Sequence, residues 1–176
     1  MSIENIMEYS KKEVMVEPLI ESNADFQAFY SLPLIAEMKK KHAMTLFSCM
    51  TREDFQVGDV IYEAGTPSVG KMNLILDGKV NVKSESGYPF SSLTTGDVFG
   101  LFSFLDENRN HSVTLTVDKT TRVLSIDRSY FDLIALEEPK LGNQLMRFMF
   151  RLLSKKASEL EVEYAHMHRF AFGGKV

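Results

Sequence analysis

The residues best suited to chemistry lie between Thr95 and Val117, where a strand runs into a glycine turn. The turn is formed by Phe99-Gly100, and a short apolar segment over 101–105 follows it. A strand that feeds a glycine turn and a helix start directs several backbone N–H groups toward one point. Such a concavity suits an anion, and phosphate in particular. This stretch is therefore the candidate ligand site.

Alternating strands must position that turn. From Phe55 onward the apolar period is two, and it continues through 60–62, 72–76, 80–82, 111–117 and 121–126. Turn residues separate these runs, and Asp77-Gly78 is a strong signal for a tight hairpin. We count seven or eight short strands at regular spacing. That pattern predicts an antiparallel barrel or double-sheet roll.

Helical periodicity flanks the strands on both sides. Residues 26–50 predict a short helix, a break at Pro33 and a second helix, and the first 22 residues predict an arm with one short helix at most. After the strands, a short helix around 130–134 precedes a long one over roughly Lys140 to Tyr164.

The long helix carries two apolar stripes. They are Leu141, Leu145, Phe148 and Leu152, and then Met146, Met149, Leu153, Leu160 and Tyr164. A helix resting on one surface needs only one stripe. We therefore expect one stripe to pack on the barrel and the other on a partner, most simply a second copy. The alternative is that both stripes bury in the same domain.

Composition narrows the class of protein. The chain has 176 residues, a net charge of −4 and one cysteine, Cys49. One domain of this length can bury a core, and a negative balance argues against nucleic-acid binding. With no disulfide, no secretory signal and no run of 18 apolar residues, we expect a soluble cytoplasmic protein without a membrane segment.

No enzyme motif stands out. There is no nucleophile elbow, Walker loop or zinc-ligand spacing, and His166-Met167-His168 is interpreted as polar tail. We expect no catalytic residue, no metal and no cofactor. The predicted organisation is an N-terminal arm over 1–25, one domain over 26–165 and a loose tail over 166–176.

Five segments in order resemble the cyclic-nucleotide-binding domain of catabolite activators and kinase regulatory subunits. They are the helix start at 32–35, the hairpin at 55–65, the hairpin at 72–80, the approach at 93–100 and the segment 126–131. The resemblance covers roughly Leu32 to Leu160. It implies a mostly β protein: an antiparallel β-roll or jelly roll with N-terminal helices and a long C-terminal helix.

The resemblance also locates the ligand pocket. The implied pocket residues are Phe99, Gly100, Leu101, Phe102, Ser103, Arg109, His111, Ser112 and Val113. In members that bind cyclic nucleotides, a glutamate after the Phe-Gly pair holds the ribose hydroxyl and a later arginine holds the phosphate. Here those positions are Leu101 and His111.

Both replacements remove charged contacts. A histidine lacks the planar fork of donors of arginine, and a leucine leaves a ribose hydroxyl desolvated. At roughly 1.5–3 kcal/mol per charged hydrogen bond, the loss is on the order of 3–6 kcal/mol, or about two to four decades of affinity. We therefore expect no physiological binding of cAMP or cGMP, unless Arg109 takes the phosphate position instead of lying solvated in its loop.

Two functions remain after this comparison. The first is a non-catalytic regulatory domain that acts by dimerisation or protein contact through the dimer helix residues of both stripes. The alternative is a sensor that binds a cyclic nucleotide weakly or another small molecule in the same pocket. A catabolite-activator type of transcription factor is disfavoured, because only about a dozen residues follow Tyr164 and a helix-turn-helix needs more.

Overall fold

The computed structural model describes residues 18–106 and 108–172. The helices are α1 (Ala24–Ser31), α2 (Pro33–Ala36), α3 (Lys40–Ser48), α4 (Leu101–Leu105), α5 (Arg128–Glu137) and α6 (Pro139–Phe172). The strands are β1 (Thr51–Phe55), β2 (Val60–Tyr62), β3 (Lys71–Lys83), β4 (Pro89–Thr94), β5 (Val98–Phe99) and β6 (Thr114–Asp127). Contacts divide the chain into two compact units, Met1–Tyr130 and Phe131–Val176.

The N-terminal helices follow their local signals. The Asn23 side chain caps α1 by accepting from the backbone N–H groups of Asp25 and Phe26, at 2.8 and 3.2 Å. Pro33 occupies the first turn of α2, as predicted, because its missing N–H is not needed there. Residues 18–21 are helical, and the rest of the predicted arm, 1–17, lies outside the described residues.

The six strands form one antiparallel sheet around two long strands. Its order is β1-β6-β3-β4, with β2 also on β6 and β5 also on β3. The pairing of β3 with β6 runs from Lys71 opposite Asp127 to Lys83 opposite Thr114. The predicted antiparallel β architecture with flanking helices and a long C-terminal helix is confirmed.

The hairpin predicted at Asp77-Gly78 is wrong, because β3 passes straight through it. Gly78 has φ +114°, and the register against β6 shifts on either side of it. A Cβ on Gly78 would lie 2.6 Å from the carbonyl oxygen of Thr120 and from the Cα of Thr121. Gly78 therefore forms a β-bulge that allows the neighbouring strand to approach closely, and the chain does not reverse there.

The strand count falls for the same reason. The two strands predicted over 111–117 and 121–126 are one strand, β6, which begins at Thr114. With β3 also uniting two predicted strands, the sheet has six strands in the described residues and not seven or eight. Sequence periodicity marks each half of a long strand but does not distinguish a bulge from a turn.

The interior of the sheet contains a buried apolar cluster. Its buried members are Ile75, Val80, Val82, Phe99, Leu115 and Val123. Tyr62, Val113 and three other half-buried side chains pack against them. The predicted turn at Phe99 is therefore tied directly to the core.

An ion-pair network fastens α1 to the sheet. The carboxylate of Asp25 accepts from Arg52 and from Arg122, each at 3.0 Å. Asp54 pairs with the same two guanidinium groups, at 2.8 and 3.4 Å. The hydrogen bond from Arg52 holds the pKa of Asp54 below its usual range. Four charges from three elements are thereby neutralised together.

The C-terminal unit consists of two closely packed helices. Phe131 and Ile134 of α5 are buried, and a Cβ on Gly142 of α6 would lie 2.7 Å from the Cα of Ala135. The glycine thus permits the close crossing of α5 and α6. The predicted long helix extends past Tyr164 to Phe172, so residues 166–172, expected to be a loose tail, are helical. The last four residues lie outside the described part of the chain.

Candidate functional site

The glycine turn that opens the candidate site is under tight steric constraint. Gly100 has φ +77° and begins α4. A Cβ there would collide with the carbonyl oxygen of Lys71 and lie 3.3 Å from the side-chain nitrogen of Asn73. The carbonyl of Gly100 accepts from the backbone N–H of Phe104 at 2.8 Å and from the Ser103 hydroxyl at 3.2 Å. Only glycine fits between β3 and the helix start.

Leu101 points into the protein. Its side chain is 5% exposed, and Ser103 and Phe104 beside it are also buried. A buried leucine can neither accept nor donate a hydrogen bond. The position that the family resemblance assigns to the sugar contact therefore carries apolar packing in this chain.

His111 lies flat against an aromatic ring. Its imidazole stacks on Tyr62 with centroids 3.7 Å apart and planes 8° apart. Its backbone N–H donates to Thr66 O at 2.9 Å, and its carbonyl accepts from Gly65 N–H at 2.7 Å. Burial lowers the pKa of His111 below its usual 6.5. The imidazole is therefore neutral at pH 7 and offers no fixed positive charge to a phosphate.

Arg109, Phe102 and Ser112 come together on the exposed side of the loop. The guanidinium carbon of Arg109 lies 5.6 Å from the centroid of the Phe102 ring, and Nη2 lies 3.4 Å from the Ser112 hydroxyl oxygen. The backbone N–H of Arg109 donates to Asp106 O at 3.2 Å. Arg109 is the guanidinium of this loop, and it rests on an aromatic face in the geometry of a cation–π pair.

The proposed pocket residues thus fall into two groups. The first group is buried or half-buried and packs with the core; it comprises Phe99, Leu101, Ser103, His111 and Val113. The second group is exposed and comprises Phe102, Arg109 and Ser112. Gly100 lies at the turn between β5 and α4.

Sequence reasoning missed two residues that shape this region. Tyr62 supplies the face on which His111 stacks, and burial raises the pKa of its phenol. Asn73 is buried and accepts a 2.6 Å hydrogen bond from the Ser125 hydroxyl. The signal for Asn73 was present, since it is the one polar residue within the apolar run 72–76. The Tyr62 contact depends on the pairing of β2 with β6 and has no local signal.

The two predicted stripes of α6 differ in burial. Leu141, Leu145, Phe148 and Leu152 are all buried, and so is Met149 of the second stripe. Leu153 is half-buried, whereas Met146, Leu160 and Tyr164 are exposed. Sequence reasoning also missed Phe150 and Met167, which are exposed on the same helix. The helix therefore keeps one apolar surface in solvent.

The described residues hold no group of three histidine, cysteine, aspartate or glutamate side chains arranged to bind a metal ion. No helix among residues 18–106 and 108–172 is both long and apolar enough to span a bilayer.

Comparison with known proteins gives a consistent family. Residues 52–137 match the family model of the cyclic nucleotide-binding domain. No curated protein matches the sequence.

Solved structures share the fold. A cyclic nucleotide-binding domain from Methylobacillus flagellatus is 22% identical, with a TM-score of 0.68 and coverage of 77% of this chain and 81% of its own. The c-di-GMP-responsive global regulator CLP of Xanthomonas campestris is 13% identical, with a TM-score of 0.62 and coverage of 77% and 66%.

A third similar structure is the regulatory subunit of a cAMP-independent protein kinase A from Trypanosoma cruzi, bound to guanosine. It is 18% identical, with a TM-score of 0.60 and coverage of 85% of this chain and 50% of that subunit. Five ordered segments, a six-stranded antiparallel sheet, the turn at Gly100 and the match over residues 52–137 agree. Residues 52–137 of this chain therefore match the cyclic nucleotide-binding domain family in sequence, and the fold agrees with that match.

Proposed function

We propose that this protein is a regulatory domain that does not bind cAMP or cGMP and acts as a homodimer, or on another protein, through α6. The observation that carries the proposal is the pair of replacements at Leu101 and His111. The first is buried and apolar, and the second is a stacked imidazole whose pKa burial lowers. Neither offers the charge that a ribose hydroxyl or cyclic phosphate needs.

The packing around His111 supports this reading. The stack on Tyr62 fixes the plane of the imidazole, and its ring nitrogens can hydrogen-bond only within that plane. Its backbone is also held on both sides by hydrogen bonds to residues 65 and 66. Even in that plane the ring offers a phosphate only a neutral donor.

The test is calorimetric titration with cAMP and with cGMP, with light scattering on the same sample. We expect no heat up to millimolar nucleotide and the mass of a dimer. Micromolar binding of either nucleotide would refute the proposal that the protein does not bind cAMP or cGMP. A monomer without nucleotide binding would overturn dimerisation and leave contact with another protein to be sought.

A second candidate function is a sensor for a different small molecule. The specific observation is the exposed group of Arg109, Phe102 and Ser112, which combines a fixed cation, an aromatic face and a hydroxyl. Relatives of the same fold include a c-di-GMP-responsive regulator and a subunit bound to guanosine. Such a group would suit a planar anion that needs no sugar contact at Leu101.

Native mass spectrometry of the freshly purified protein separates the two candidates. A co-purifying small molecule that Arg109→Ala removes would favour the sensor. Lys79→Ala is the matched control, because it removes an exposed cation whose partner is Asp118. Ligand-free protein at twice the chain mass in both samples would favour the homodimer.

A further inference from the structure

An uninterrupted apolar line runs along the exposed surface of α6. Its members, which we call the α6 seam, are Met146, Phe150, Leu153, Ala157, Leu160, Tyr164 and Met167. Their spacing alternates strictly between four and three residues. That average of 3.5 keeps a line on one face of a helix and is the pattern by which two helices pair.

Six of the seven residues of the α6 seam are exposed in the single chain, and Leu153 is half-buried. Met146, Phe150, Leu160, Tyr164 and Met167 each expose between 42% and 67% of their surface. The buried residues of the same helix lie on the adjacent face, at 141, 145, 148 and 152. Contiguous apolar surface of this kind on a soluble helix marks an interaction site.

We propose that the α6 seam packs against the α6 seam of a second copy in the antiparallel direction. This inference rests on the homodimer of the proposed function and adds which residues meet. The two-fold axis would pass beside the middle of the seam, between Ala157 and Leu160. Each residue would then face the one at the mirrored position of the other copy.

The sizes of the side chains choose the direction. In a parallel pair, each residue meets itself, so the layers at one heptad position would be Phe on Phe, Ala on Ala and Tyr on Tyr. The Phe and Tyr layers would be overpacked and the Ala layer would be underpacked. Both overpacking and underpacking reduce the stability of a close-packed interface. The antiparallel layers are Phe150 on Met167, Leu153 on Tyr164 and Ala157 on Leu160. In these layers a large side chain meets a smaller one. The ring of Tyr164 faces the aliphatic Leu153, and the small Ala157 faces Leu160.

Charge at the flank of the seam fits a second copy. Lys156 of one chain would face Glu163 of the other, and the symmetry repeats that pair. Within one chain Lys156 pairs with Glu159 at 2.8 Å, and Glu159 also lies 3.8 Å from Lys155. Lys156 can therefore exchange partners without leaving Glu159 unpaired. A parallel pair would instead place Glu161 near Lys156. Charge therefore favours a second copy in either direction, and only the side-chain layers distinguish the two directions.

Disulfide trapping tests the direction. The single cysteine is first removed as Cys49→Ala, and Ala157→Cys and Leu160→Cys are made separately in that background, one of them with a mass tag. After mixing, subunit exchange and mild oxidation, we expect the mixed product, Ala157→Cys joined to Leu160→Cys, to exceed both self-linked products at least tenfold. Self-linked Leu160→Cys as the main product would mean a parallel pair and would overturn the inference.

The dimer itself has a separate control. Leu160→Asp lies in the seam and is expected to weaken dimerisation at least tenfold by light scattering. Val162→Asp lies on another face of the same helix, is similarly exposed and is expected to leave the dimer intact. A parallel dimer would refute only the direction. A monomeric parent protein would refute the homodimer of the proposed function together with this inference.

Discussion

The imidazole of His111 and the phenol of Tyr62 lie face to face, with centroids 3.7 Å apart. His111 is the position that the family resemblance assigns to a phosphate-binding arginine. One ring is held by the pairing of β2 with β6, and the other by backbone hydrogen bonds to the turn at residues 65–66. The position thus serves packing within the sheet.

Restoring the two charged residues tests whether their loss alone removed nucleotide binding. We expect Leu101→Glu with His111→Arg to bind cAMP about two to four decades more tightly than the parent, by the worth of two charged hydrogen bonds. Calorimetry measures the affinity. His111→Arg alone is the control, and it should recover only part of the gain.

A melting curve must accompany that experiment, because Leu101 is buried and a glutamate there has to be desolvated in the free protein. A double variant that folds cooperatively and still gives no heat with cAMP would contradict the prediction. The pocket would then be closed by more than these two residues.

Gly100 and Gly87 can be compared to measure how much stability is lost when a side chain is added at a glycine. Both have positive φ, +77° and +84°, but only at Gly100 would a Cβ meet the Lys71 carbonyl. Gly87→Ala should cost about 1–2 kcal/mol of unfolding free energy from backbone strain. Gly100→Ala should cost roughly 1–3 kcal/mol more from overpacking. Urea denaturation measures the unfolding free energy of both variants. Equal losses would show that the contact with the Lys71 carbonyl adds no cost at Gly100.

Asp25 should contribute more to stability than an ordinary surface carboxylate. Its side chain is largely buried and accepts from Arg52 and Arg122. We expect Asp25→Asn to lower the unfolding free energy by about 1.5–3 kcal/mol, the worth of a hydrogen bond to a charged group. Lys40→Gln breaks the exposed pair with Glu21 and should cost at most about 1 kcal/mol. Similar losses in both variants would mean that the network adds nothing beyond single surface pairs.

His111 should make stability depend on pH near neutrality. Burial lowers its pKa in the folded protein below the ordinary 6.5, so the unfolded chain binds the proton more readily. Stability from this group is complete above pH 6.5 and is lost as the pH falls through the folded pKa. His111→Phe keeps a ring on Tyr62 and does not titrate.

We expect the parent to lose more stability than His111→Phe between about pH 8 and pH 5, as measured by thermal melting. Asp54 also has a lowered pKa, but its stability is lost only below the ordinary carboxyl value of 3.8, outside this window. Parallel pH profiles for the two proteins would show that the stacked imidazole is not responsible.

Local patterns located most of the elements. Pro33 set the helix break, alternation marked the strands, and the Phe-Gly turn with its apolar helix start located the candidate site. The identities of Leu101 and His111, which need no coordinates, already predict fewer charged contacts with a nucleotide. These features depend on neighbours within a few residues, which is the range over which propensity acts.

Only the tertiary structure decided what Gly78 and Tyr62 do. The Asp77-Gly78 pair permits a hairpin or a bulge, and the approach of Thr121 from β6 selected the bulge. Tyr62 meets His111 across 49 residues of chain, and Leu160 stays in solvent while Leu152 is buried. Each outcome depends on which surfaces pack together, and packing partners distant in sequence leave no local periodicity behind.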